Sequence, residues 1–507
     1  MTANSWFKLF RVLVLLLAML AFTLVAAQDE ATEITVFRGG VTIDWDNDPI
    51  ILELERQANV DVRFVTSGWG DIGQVRNLAL ASEEDIDIYH HMDLSPQWIE
   101  DEVIIALDDY INADDHPYLY NLVHSDRYSS MKRDGQVYYV PMVAEGFDWV
   151  FLVRQDWMDE LGMDYPTDEV EFRALLQAFK DRDPDGRTVG WQLEGTGGGF
   201  RRTMLPVLTA FGVPTSFFDQ EKNFYISEDG ALEPIVTSSN MKAALEYMNS
   251  LYADGLVNTD FPTIKSFPDL SERYIQAGKA GLSWFPNSGN FPIPNAELGF
   301  LPPFTATGFE FTRSEGVVNN GWIAVSAVSD TPQEAVDFLE FLNSREARKL
   351  LSAGIEGVHY TSFDENGNFE RIEENWPYES TYYPLWFYFG QGGARGVIPI
   401  AEYDNLDEAF ANVEIWEPTV GGGLRDTLVA SALWTGDSMP FQFVEFPELN
   451  DIKVALGDAL LTGWTEMITA DPGNFEAEWQ EFLDEWQAAG GDEWVAAYQA
   501  YYDANLR

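Results

Sequence analysis

Alternating carboxylates mark the first place where this sequence could do chemistry. In DRDPDG, Asp181, Asp183 and Asp185 stand two apart, the spacing at which hard oxygen ligands wrap a calcium ion. The chain then runs Arg187-Thr188-Val189-Gly190, which supplies none of the later ligands such a loop needs. The expectation is an acidic turn at a helix end and no cofactor, with calcium on these three aspartates as the alternative. A second group is aromatic. Trp45, Trp69, Trp284, Trp322, Trp386 and Trp434 stand beside Gly, Pro, Asn or Asp rather than inside apolar stripes. An indole covers the C–H face of a sugar ring, while any one Trp taken singly is more often a core residue. The third group is polar. Asp44, Asp46 and Asp71 share loops with these aromatics, Glu145 and Asp148 lie in the crossover before Val150, and Arg202 and Arg395 adjoin the Gly-rich runs 195–199 and 390–396. Carboxylates accept paired, charge-assisted hydrogen bonds from vicinal hydroxyls, and a solvated surface acid is the competing reading for each. The ligand-binding set expected from these groups is Asp44, Trp45, Trp69, Glu145, Asp148, Trp284, Trp322, Trp386 and Arg395.

Other chemistries are poorly represented. The sequence has no cysteine, which removes disulfides, thiol nucleophiles and thiolate metal sites. His90-His91 lacks a companion at metal-ligand spacing, and no G-x-S-x-G, H-E-x-x-H or P-loop occurs. With 84 acidic residues, a hydrolase-like carboxylate pair arises by chance, so such pairs carry no information. No catalytic residue is expected. A formal net charge of −54 repels nucleic acid and other polyanions, which favours a neutral ligand over an acidic one.

These groups need elements to hold them. Residues 1–27 read as a secretion signal: Lys8 and Arg11, the apolar run Val12–Leu24, then Val25-Ala26-Ala27 before Gln28. The apolar run is short for a bilayer span, and an uncleaved anchor is the alternative. At 507 residues the chain exceeds one ordinary core, so two lobes are expected. Glu33–Phe37, Val60–Val65 and Ile86–Tyr89 read as strands separated by helices over 49–58 and 74–81. This β-α-β-α-β rhythm calls for a parallel sheet whose ligand lies outside the carboxyl ends of the strands. Val150–Val153 opens a second such unit. Asp156 is expected to cap the next helix and Thr167 the one after, on which Phe172, Leu175, Leu176 and Phe179 form one buried stripe. Later, Trp322–Val328 reads as a strand, Thr331-Pro332-Gln333-Glu334 as a capping box, and Phe475–Tyr502 as helices.

The run R-x-D-W-x-D-x-L-G…P-T…F…L…A-F-x-x-x-D-P-D-G from Arg154 to Gly186 closely resembles the extracellular solute-binding proteins of family 1, specifically the LipO-like branch serving sugar ABC importers. The words LALASEEDIDIY, DGQVYYVP, QAGKAGLSW, GIEGVHYT and EWVAAYQAYYD match the same branch. The resemblance implies an α/β, periplasmic-binding-protein-like fold of type II, with two discontinuous lobes joined by a hinge. Lobe 1 would hold residues 28–145 and 322–365, and lobe 2 residues 146–321 and 366–507. It implies a monomer that binds an oligosaccharide by hinge closure, passes it to ABC permease subunits, and works in the periplasm or outside the cell. Some relatives bind calcium at the acidic loop, and many are held by a lipid on a cysteine that this sequence lacks. Two alternatives stay open: a secreted carbohydrate-active lyase or hydrolase, and a sugar sensor without an importer.

Overall fold

The computed structural model describes residues 31–39, 47–67, 72–82, 84–92, 97–125, 132–133, 135–145, 150–183, 188–195, 197–215, 220–264, 267–285, 296–313, 317–363, 369–375, 396–397, 408, 414–415, 434, 441 and 444–507. The principal strands are β1 (Thr32–Gly39), β2 (Val60–Ser67), β3 (Ile88–Met92), β4 (Val140–Glu145), β5 (Val150–Arg154), β6 (Val189–Trp191), β7 (Ala280–Phe285), β8 (Leu298–Phe300) and β9 (Val317–Val325). They form two sheets, ordered β2-β1-β3-β9-β4 and β8-β5-β7-β6.

The first sheet grows from the expected β-α-β-α-β unit. β2 alternates buried Val60 and Val62 with exposed Asp61 and Arg63, so one face meets the core. Helix α1 (Pro49–Ala58) opens on Asp48, which accepts from the amides of Ile50 and Ile51 at 2.9 and 3.2 Å. Helix α2 (Ile72–Ala81) carries the second crossover. β1 pairs in parallel with β2 and with β3. β9 arrives from far downstream and inserts antiparallel between β3 and β4. It therefore begins at Val317, earlier than the apolar run at 322–328 suggests: its first residues, VVNNG, have no period of their own and are held by pairing with β4. Asp87 ties this lobe together. Its carboxylate accepts from the Thr35 amide at 2.8 Å and from the hydroxyls of Ser329 and Thr331. Thr331 thus spends its hydroxyl on Asp87 instead of capping the helix Pro332–Leu342.

The second sheet starts with β5, flanked antiparallel by β8 and β7, with β6 parallel to β7. Both caps expected after β5 are corrected. Asp156 lies inside the helix Gln155–Leu161 and takes a two-point ion pair from Arg154, whose guanidinium sits 4.2 Å from the Trp157 ring. Asp168, not Thr167, caps the helix Glu169–Asp181, accepting from Val170 and Glu171 amides at 3.0 and 2.8 Å. Thr167 donates its amide and hydroxyl to the Glu171 carboxylate, so the Asp-first arrangement satisfies more orphan groups than a Thr cap. Phe172, Leu175, Leu176 and Phe179 are all buried, as their spacing predicts.

Two large hydrophobic cores stand out among the described residues. One draws on Ile34 to Val140 and on Trp322 to Leu351. The other draws on Phe151 to Ala306 and on Trp434 to Tyr498. The C-terminal helices Asn450–Thr469, Phe475–Ala488 and Gly491–Asn505 pack into the second core. Asn249 fastens the first of them: its amide reaches the carbonyls of Met467, Ile468 and Ala470 at 2.9, 3.1 and 2.8 Å. Those carbonyls belong to a helix end that lacks intrahelical donors. Asn249→Ala is expected to lower stability by about 2 kcal/mol, read as a shift of the urea midpoint with an unchanged slope.

Candidate functional site

The carboxyl ends of the strands gather on one edge of each sheet. β1, β2 and β3 run in parallel and end at Gly39, Ser67 and Met92. β9 is antiparallel to both β3 and β4, so β4 runs with them and ends on the same edge at Glu145, opposite Val317. On the second sheet, β5 begins at Val150 opposite Phe285, the last residue of β7, and β6 ends beside β7 at Trp191. Four residues, 146–149, separate Glu145 from Val150. That linker spans at most about 18 Å, so the two carboxyl edges adjoin the same crossing. β9 also slips register on this edge, between Asn319 and Trp322. Such irregularities re-aim side chains next to binding sites. In open α/β sheets this is where ligands lie.

The loop that leaves β6 at the carboxyl edge of the second sheet is closely braced. Asn258 holds it as a strand would: its Oδ1 accepts from the Leu193 amide at 2.6 Å and its Nδ2 donates to the Leu193 carbonyl at 3.1 Å. The Glu194 amide donates to Thr203 Oγ1 at 3.3 Å, and the Gly195 amide to the Ile264 carbonyl at 3.0 Å. Gly195 is packed against the backbone: a Cβ there would lie 2.0 Å from the Phe261 carbonyl oxygen and 2.8 Å from Pro262 Cα. Within this braced loop Glu194 is 4% exposed, and Gln192 is fully buried with no hydrogen-bond partner at Nε2 or Oε1. The helix Gly197–Ala210 follows. Phe200 in its first turn stacks on Phe261 with centroids 5.3 Å apart and borders a cavity of about 270 Å³ shared with Gly457, Asp458, Leu461 and Trp464. On the other sheet, burial pushes the phenol of Tyr89 on β3 above its ordinary pKa, so it remains a neutral hydroxyl.

Of the residues expected to bind ligand, Glu145 closes β4 and Trp284 is the penultimate residue of β7, opposite Phe151. Both stand on the carboxyl edges. Trp322 is corrected: it sits inside β9, 6% exposed in the first core, with its ring edge-on to Tyr139 at 6.3 Å. Trp434, a loop-flanked Trp outside that set, is also core, donating from Nε1 to the Leu301 carbonyl at 3.1 Å and packing edge-on to Phe151. In both cases partners distant in sequence, not the flanking Gly or Thr, decide the placement. Asp44, Trp45, Trp69, Asp148, Trp386 and Arg395 lie outside the described residues. Gln192 and Glu194 went unnoticed in the sequence, although the Gly-rich run beside them was the available signal.

Part of the acidic loop is described. Asp181 accepts from Gln177 at 2.7 Å and Asp183 from Thr188 at 2.9 Å, while Asp185 lies outside the described residues. Among the described residues no three or more His, Asp or Glu side chains converge as metal ligands. Among them, too, no helix is long and apolar enough to cross a membrane.

A family profile described as bacterial extracellular solute-binding protein matches residues 50–358. Lipoprotein LipO of Bacillus subtilis is 27% identical over 263 residues, 48% of this chain and 49% of that protein. The fructooligosaccharide ABC transporter substrate-binding protein FusA of Streptococcus pneumoniae is 23% identical over 281 residues, 50% of each. The chain thus spans about half the length of the curated relatives it matches. Solved structures align over nearly all of it. An HMO binding, ABC-transporter associated solute-binding protein from Bifidobacterium longum infantis gives a TM-score of 0.69 at 17% identity, covering 94% of this chain and 99% of the other. FusA in complex with kestose gives 0.70 at 16% identity, covering 93% and 99%.

Proposed function

The chain belongs to the bacterial extracellular solute-binding proteins and has their two-lobed α/β fold of type II, and from that premise we propose that it is the binding component of a sugar ABC importer. Its solute is a neutral oligosaccharide held between the two carboxyl edges. The observation that carries this reading is the crossing itself. β4 ends at Glu145 on the carboxyl edge of the first sheet, paired with the start of β9, and the second sheet, with its own core, begins four residues later at Val150 opposite the end of β7.

The lobes comprise residues 28–145 with 317–365, and 146–316 with 366–507: β9 lies wholly in the first sheet, so the boundary expected at 322 moves to its first residue, and the composition of the two cores agrees with this division. A sugar docks on one lobe, and contacts available only when the lobes approach draw the equilibrium toward the closed form. A permease outside this chain then recognises that form. The family is extracellular, so the protein works beyond the cytoplasmic membrane, as a monomer in a periplasm or free outside the cell. No step needs a covalent bond, a metal or a cofactor. Neutrality of the solute rests on the net charge of −54. Sugar-binding functions in the names of relatives, such as fructooligosaccharide and HMO binding, point to the carbohydrate class.

A thermal-shift panel of neutral sugars (kestose, lacto-N-tetraose, Man5GlcNAc) and acidic ones (oligogalacturonate, oligoalginate) tests this. At about one hundred times its dissociation constant a bound sugar adds roughly 2.7 kcal/mol. We expect a neutral member to shift the protein and to be recovered intact. Cleavage products would instead establish an enzyme, and a shift confined to acidic sugars would overturn the charge argument.

A further inference from the structure

A buried amide with both polar atoms unpaired calls for an explanation. Gln192 is such a case, fully buried with neither Nε2 nor Oε1 hydrogen-bonded. Its position is not arbitrary. It directly follows the last residue of β6, on the edge of the second sheet that adjoins the crossing. The neighbouring backbone is fixed by Asn258, Thr203 and Ile264, and Gly195 admits no side chain, so the loop cannot relax to supply a partner. An amide in such a setting is costly to the protein that keeps it.

We propose that the missing partner is the solute: Gln192 is a specificity-determining contact whose amide binds a vicinal pair of sugar hydroxyls, donating from Nε2 and accepting at Oε1. This rests on the carbohydrate reading above and adds to it a residue and its chemistry. One donor and one acceptor on a planar group match two adjacent hydroxyls, each of which both gives and takes a hydrogen bond. Because the side chain is covered in the conformation described here, the contact forms only when the covering groups move. It therefore differs between states, which is the property a contact must have to drive closure. An uncharged reader also avoids the repulsion that a carboxylate here would add to a strongly acidic protein.

The test is Gln192→Met, which keeps the shape and removes both polar atoms, with Gln192→Glu as a second variant. The same panel is used, and the sugar giving the largest wild-type shift is titrated into all three proteins. Gln192→Met is expected to raise the melting temperature without sugar by about 2–4 °C, because an unpaired polar group is gone. It should also weaken the chosen sugar at least about tenfold, the scale of one lost hydrogen-bonded pair. Gln192→Glu should weaken binding too, since it loses the donor. A lower melting temperature of the sugar-free Gln192→Met protein would mark the amide as structural and overturn the proposal. Unchanged affinity in both variants would overturn it while leaving the carbohydrate reading intact. If no sugar shifts the wild type, both fall together.

Discussion

Glu445→Ala is expected to destabilise the second lobe by about 3–5 kcal/mol, the largest single-residue effect anticipated in this protein. Glu445 receives Lys222 Nζ at 2.5 Å and Lys453 Nζ at 3.0 Å. Lys222 is only 2% exposed, so removing the carboxylate takes a counter-charge away from a buried ammonium. The damage spreads because the segment around Glu445 straps the C-terminal helices to the lobe. Tyr498 donates to the Val444 carbonyl at 3.0 Å, Trp494 donates to the Glu221 carbonyl at 2.7 Å, and Phe441 packs edge-on to Tyr498. Urea unfolding followed by tryptophan fluorescence should show an earlier transition for the lobe that carries Trp464, Trp479 and Trp494. Pairing Lys222→Met with Glu445→Leu should recover most of the loss, since a buried ion pair replaced by apolar groups is often neutral. Loss of less than about 1 kcal/mol in the single variant would mean that water reaches Lys222.

Gly195→Ala is the second large effect, and it couples stability to binding. The added Cβ would meet the Phe261 carbonyl oxygen at 2.0 Å, and that neighbour is backbone, which has no rotamer to yield. Either the end of β6 or the turn Phe261–Thr263 must move by more than an ångström. The cost is about 3 kcal/mol, at the upper end of overpacking. Because the same loop carries Gln192 and Glu194, sugar affinity should fall by about tenfold or more, as sites tolerate little displacement of their contacts. Substituting Gly473, where the space is open apart from its own capping Asp471 at 3.5 Å, should leave affinity unchanged and serves as the control. Wild-type affinity in Gly195→Ala would remove the loop from the site.

Local rules read much of this fold from the residues. The alternation in Val60–Val65, the Asp48-Pro49 helix start and the Phe172–Phe179 stripe are short-range signals, and each appears where its period places it. Competition between neighbours was harder. Thr167 and Asp168 both suit a helix start, and the choice turned on Glu171 taking the Thr167 amide and hydroxyl. Long-range burial was harder still. Trp322 and Trp434 look like loop residues beside Gly and Thr, yet Tyr139, Phe151 and Leu301 enclose them. The Gly-rich run 195–199 flags the loop after β6 but not the isolation of Gln192. Nothing in WQLEG announces that the amide will lack a partner, since its isolation follows from the packing of Asn258 and Phe261 around the loop.

Binding of a neutral sugar is expected to close the two lobes around it. Small-angle scattering on the protein with and without a sugar whose binding calorimetry has established tests it most directly. A smaller radius of gyration is expected at saturation, with the sugar unchanged in the sample. Saturation with an unchanged radius of gyration would contradict closure around the crossing between Glu145 and Val150.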